Sequence, residues 1–163
     1  MRADNETFNQ AITEMNLGNY KKALILLEQV LVVDPRNVDA LIKKGNILGK
    51  FGKFVDAIKT YDMVLEIEPQ NILALINKGL ALHYLEDYNL AISCYKMVLE
   101  VKPTSSIALY NMASSLIKAG KTNEGLDALQ KSIKLDFSYK YKARFDIDFA
   151  HMHKNSDFKR VVL

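Results

Sequence analysis

Three histidines and one cysteine carry the widest chemistry open to this 163-residue chain, and their spacing argues against most of it. His151 and His153 stand two apart. On a helix that step turns them to different faces, a poor geometry for holding one metal ion unless the segment is extended, so surface or structural roles are expected. Cys94 is alone and cannot close an internal disulfide, so the chain carries no sign of an oxidising compartment. It falls in a packed helical stretch with no basic residue identified beside it, the setting of an inert, half-buried thiol. Glycine-rich phosphate loops, metalloprotease helix motifs, cysteine pairs at metal spacing and nucleophile elbows are all missing from the sequence. Catalysis needs a nucleophile, a base and an orienting group converging in a pocket. No such set is legible, so the chain is expected to be no enzyme and to use no cofactor and no metal.

The elements that must position any binding residue repeat along the chain. Pro35, Pro69 and Pro103 stand 34 residues apart. Laying residues 38–71 over 72–105 pairs Ala40 with Ala74, Gly45 with Gly79, Leu48 with Leu82, Ala57 with Ala91 and Tyr61 with Tyr95. The run Met63-Val64-Leu65-Glu66 likewise meets Met97-Val98-Leu99-Glu100. Within a unit, Ala40, Leu41, Lys44, Gly45, Ile47 and Leu48 lie at helical spacing, and after Phe51-Gly52-Lys53 a second set follows, Phe54, Ala57, Ile58, Tyr61, Val64 and Leu65. Gly52 suits the left-handed conformation that ends the first helix, Glu68-Pro69 stops the second, and Asn71 can cap the next. Gly45, Gly79 and Ala113 share one offset, and Ala23, Ala57, Ala91 and Gly125 another, where paired helices must approach closely. Met63 and Met97 share an offset at which packing between neighbours is favoured over an exposed patch.

A period of about 34 residues with small residues, an aromatic and a terminal proline at these offsets resembles the tetratricopeptide repeat over residues 4–139. The resemblance implies an all-α fold, a right-handed α-α superhelix of four helix-turn-helix repeats closed by C-terminal capping helices. The units are expected at 4–37, 38–71, 72–105 and 106–139, with a cap over 140–163. The first is atypical in register: Phe8, Ala11, Ile12 and Met15 fit the template one residue late, as after a shortened turn or in a rotated helix. The fourth has Phe137 in place of the proline. In the cap, Phe145, Phe149, Met152, Phe158 and Val162 are expected to cover the apolar face of the last pair.

In this family the leading helices form the concave wall that captures ligands. The inward offsets carry Lys43, Asn46 and Lys50 in the second unit, Asn77, His83 and Tyr84 in the third, and Tyr110, Asn111, Ser114 and Lys118 in the fourth. Asn77 and Asn111 stand at one offset, where an amide ladder could donate to and accept from an extended peptide backbone. The family's carboxylate clamp for chaperone tails finds its asparagines at Asn46 and Asn77, but Ile42, Ile107 and Asn111 stand where its cations should be. Starting one unit earlier is worse, since Phe8, Ile12 and Lys43 fill required places. Chaperone-tail binding is therefore not expected. Lys43, Lys50 and Lys118 still favour an acidic or carboxylate-bearing segment.

The composition agrees with a binding role in water. With 49% hydrophobic and 25% charged residues the chain is too apolar for disorder, and no run approaches the length of a membrane span. A net charge of +3, its signs interleaved, does not demand nucleic acid, although basic residues thicken after Lys131. The polar N-terminus lacks the apolar stretch of a secretion signal, so a cytoplasmic location is the default. A protein interaction module or scaffold binding a peptide or partner protein is the reading these residues favour. The alternatives are a structural array that associates with itself or belongs to a longer chain, and a nucleic-acid contact through the basic tail.

Overall fold

The computed structural model describes residues 2–163, with side chains from residue 5 onward. Every regular element among them is helical. Eight helices come first, α1 (Arg2–Asn16), α2 (Tyr20–Val33), α3 (Val38–Lys50), α4 (Phe54–Ile67), α5 (Ile72–Tyr84), α6 (Tyr88–Val101), α7 (Ser106–Lys118) and α8 (Thr122–Leu135), and α1 pairs with α2, α3 with α4 and α7 with α8. Then come α9 (Ser138–Phe145), a 3-10 segment (Ile147–Lys154) and α10 (Ser156–Val162).

The same local chemistry starts and stops successive helices. The side chains of Asn37, Asn71 and Ser105 accept from the backbone N–H of Ala40, Ala74 and Ala108, satisfying a donor that the first turn leaves unpaired. Between the helices of each pair the chain needs one left-handed residue, supplied by Gly18 (φ 80°), Gly52 (φ 71°) and Gly120 (φ 80°). At the third such position stands Glu86, held at φ 64° without glycine's freedom. The turn after α1 is not shortened: three residues separate α1 from α2, as three separate α3 from α4.

The chain divides into two units, one ending at Ala81 and the other beginning at Leu82, a boundary inside α5. In the first, Ala11, Ala23, Leu27, Val30, Ala40 and Ile47 form one buried cluster, against which Phe8 and Met15 pack. Leu41, Leu48, Ala57, Tyr61, Val64 and Ala74 form another. The small residue at Gly45 has a direct cause: a Cβ there would stand 2.5 Å from Cε1 of the Tyr61 ring. Met63 is 45% exposed, so it is only partly packed.

In the second unit the core runs from Ile92 through Tyr110, Ala113, Leu116 and Leu129 into the tail. A Cβ at Gly125 would meet Ile117 at 2.5 Å and the Ala113 carbonyl at 3.0 Å. Met97 is 44% exposed and Cys94 is buried rather than half-buried. The residue without proline, Phe137, lies in the two-residue break after α8, which ends at Leu135. Phe149, Met152, Phe158 and Val162 are buried among the side chains of α7 and α8, each contributing roughly 1.5–3 kcal/mol of apolar burial. Phe145 corrects the expectation for the cap: it is 72% exposed and points away from that core.

Candidate functional site

The leading-helix residues gather into two separate polar sets, one in each unit. In the first, Asn46 on α3 is the hub. Its Oδ1 accepts from the Tyr61 hydroxyl at 2.8 Å and from Asn77 Nδ2 on α5 at 2.9 Å. The buried phenol fixes the amide's rotamer, and the amide in turn fixes Asn77, so two leading helices present a joined amide pair, half-buried. Burial pushes the Tyr61 hydroxyl's pKa well up, so it remains a donor throughout the physiological range. Lys43 is half-buried nearby in sequence, and Lys50 turns to place its ammonium 4.3 Å above the Tyr20 ring.

The second set is already occupied by the chain's own tail. The Asp148 Oδ2 accepts from Ser114 Oγ at 2.6 Å and stands 3.1 Å from His83 Nε2, while Lys118 Nζ lies 3.9 Å from Oδ1. His83 is held from its other side by Ser115 Oγ, 2.9 Å from Nδ1. A carboxylate only accepts, so Nε2 carries the proton facing Asp148. Two residues earlier, Asp146 Oδ2 accepts from the Tyr110 hydroxyl at 2.7 Å, and its Oδ1 caps the Asp148 N–H. The Asp148 carboxyl is held down to about 2, chiefly by the bond from His83 and then by Ser114, against a partial desolvation that acts the other way. Tyr110 is pushed upward by burial and by its bond to Asp146.

His83, Tyr110 and Ser114 are therefore buried, at 7%, 2% and 3% exposure, under the tail they hold. Tyr84 is 59% exposed beside them, its ring set edge-on to His83 at 6.0 Å, and Asn111 is half-buried. Asn77 pairs with Asn46, which stands one turn beyond the offset that Asn77 and Asn111 share. The residues that sequence reasoning missed are Tyr61, Asp146 and Asp148. The signal for the last two was a closely spaced acidic pair inside a mostly basic tail. His151 and His153 are exposed, and among the described residues no group of three or more histidine, cysteine or acidic side chains could hold a metal ion.

Paired helices at a 34-residue spacing define an α-helical repeat protein. Models of the tetratricopeptide repeat match residues 8–72, 72–105 and 107–136, and the chain belongs to that family. No curated protein matches it. Among solved structures it is similar to MamA residues 41 to the end from Desulfovibrio magneticus RS-1, at 21% identity and a TM-score of 0.82, covering 97% of this chain and 88% of that one. It is also similar to TTC0263, a thermophilic TPR protein of Thermus thermophilus, at 16% identity and a TM-score of 0.77, covering 97% and 87%. At these identities the likeness is one of fold. No helix among the described residues is long and apolar enough to cross a membrane.

Proposed function

We propose that this chain is a protein interaction module that captures an extended, acidic or carboxylate-bearing segment on its leading-helix face, without catalysis of its own. The observation that carries this reading is the tail's Asp146-Ile147-Asp148, held by Tyr110, Ser114 and His83 in the manner of a bound peptide. A face that satisfies two carboxylates from its own chain has the donors to satisfy them from another. In the first unit the corresponding surface is Lys43, Asn46, Lys50 and Asn77, where the amide pair is fixed in advance by Tyr61. Preorganised donors lose little freedom on binding. The division into units at 4–37, 38–71, 72–105 and 106–139 with a cap over 140–163 belongs to this reading.

Affinity capture from native lysate tests it, with Asn77→Ala/Asn111→Ala as the control. A partner retained by the native chain and lost by the double variant, with unchanged circular dichroism, supports the leading-helix face. Equal capture by both rejects it.

A further inference from the structure

The tail exposes a stripe of large apolar side chains that the core does not use. Phe137, Tyr141 and Phe145 recur at intervals of four residues from the entry to the end of α9, and Ile147 follows. Their exposures are 73%, 69%, 72% and 83%. At about 150–250 Å² for a whole aromatic side chain, they present on the order of 600 Å² of largely apolar surface. That is the upper end for the largest patch of an ordinary monomer, and near the share each partner gives to a standard interface. The patch is ordered as well as exposed: the Tyr141 and Phe145 rings stand 4.8 Å apart, and Lys140 lies 5.4 Å from the Phe137 ring.

Basic residues outnumber acidic ones around it, although Asp136 adjoins Phe137 and Asp146 stands between Phe145 and Ile147. Lys140, Lys142 and Arg144 sit three residues from members of the stripe, one turn along the helix. Beside α9 lies a cleft of about 250 Å³ lined by Arg144, His153, Phe158, Lys159, Val162 and Leu163, with no acidic side chain. Asp146 and Asp148 are engaged internally with Tyr110, His83 and Ser114, while Asp136 and Asp157 stay exposed; of the bases, Lys140 and Arg144 reach the Val162 and Leu163 carbonyls and Lys142 lies over the Tyr110 ring.

We infer that the outer face of α9 and the adjoining basic cleft form a second docking surface, for an acidic amphipathic segment of a partner protein. Its apolar residues would cover Tyr141 and Phe145, with its carboxylates over the cleft. A second copy of this chain docking the same face would bring one predominantly basic region against another. The three aromatics span about 12 Å of helix, the reach of anchors at i, i+4 and i+7 on a partner helix.

The test is fluorescence anisotropy on the full chain with a short helix-forming peptide carrying leucines at i, i+4 and i+7 and glutamates elsewhere. Binding is expected to weaken with salt, to vanish when the glutamates become lysines, and to fall about tenfold or more in Tyr141→Ala/Phe145→Ala. Asn77→Ala/Asn111→Ala should bind the peptide as the native chain does, which separates this surface from the leading-helix face. No binding of the acidic peptide, or equal binding by the native chain and the Tyr141→Ala/Phe145→Ala variant, overturns the inference. So does stripe-dependent binding confined to phosphatidylserine vesicles, or stripe-dependent dimerisation in sedimentation, either of which assigns the face to another occupant.

Discussion

His83 Nε2 lies 3.1 Å from Asp148 Oδ2, joining the last turn of α5 to the 3-10 segment of the tail. The contact spans 65 residues of sequence, and Ser114 and Lys118 from α7 complete it. One carboxylate thus ties three elements of the second unit together. Together with the Asp146–Tyr110 bond, the same contact explains why three residues expected to line an open groove, His83, Tyr110 and Ser114, are buried.

The bond has a pH signature. Asp148 titrates near 2 in the folded chain instead of its ordinary 3.8. A lowered folded pKa gives stability that is complete above the unfolded value and is lost as pH falls through the folded one. Asp148→Asn should therefore cost about 1–2 kcal/mol at neutral pH, allowing for partial solvent screening. Urea unfolding at a series of pH values should show the gap between native and variant closing from about pH 4 to pH 2. A gap that does not narrow in acid would mean that the charge on Asp148 contributes nothing.

Two equivalent tyrosines should respond oppositely to loss of their hydroxyls. Tyr61 donates to Asn46 at 2.8 Å, whereas the Tyr95 hydroxyl, fully buried, has no hydrogen-bond partner among the described residues. The repeat explains the difference: the residue 34 positions after Asn46 is Leu80. Tyr61→Phe removes a net hydrogen bond and should destabilise by about 1 kcal/mol. Tyr95→Phe removes a desolvated hydroxyl and should be neutral or stabilising by up to about 1–2 kcal/mol. Thermal unfolding of the two variants checks the contrast.

Local features were legible because local chemistry decides them. Gly52, Pro69 and Asn71 announce helix ends, and the helices do end and begin there. Gly45 announces close packing, and the Tyr61 ring is what it makes room for. His83 could be assigned to the leading-helix face but not to a buried state, because its burial depends on Asp148, outside the period that made the helices readable. Phe145 misled for a related reason. Spaced four from Phe149 it looks like the same helical face, but α9 ends at Phe145 and the chain turns at Asp146, sending the two rings in different directions. Met63 and Met97 lie between the two readings, nearly half exposed.

Glu86 offers a gain in stability. It takes φ 64°, while the corresponding positions of the other pairs are Gly18, Gly52 and Gly120. A left-handed conformation costs an L-residue roughly 1–2 kcal/mol, partly offset in glycine by the larger freedom its unfolded chain loses. Glu86→Gly should raise stability by about 0.5–1 kcal/mol, visible as a higher melting temperature. An equal loss would show that the Glu86 side chain stabilises the turn by more than its backbone strains it.

The two phenylalanines of the tail separate structure from recognition. Phe149 is fully buried, 5.6 Å from the Tyr110 ring and 5.7 Å from Phe158, next in sequence to Asp148, which Ser114 and His83 hold. Phe149→Ala leaves a cavity in that cluster and should cost about 3–5 kcal/mol. Phe145, 72% exposed, leaves none, so Phe145→Ala should change stability by no more than about 0.5 kcal/mol. Chemical denaturation measures both, and hydrogen exchange adds a local reading: in Phe149→Ala the amides of α10 should lose protection together with those of α8, because both helices pack on the core containing Phe149. If Phe145→Ala destabilises as much as Phe149→Ala, the exposed stripe is part of the core and no longer a surface on which a partner can dock.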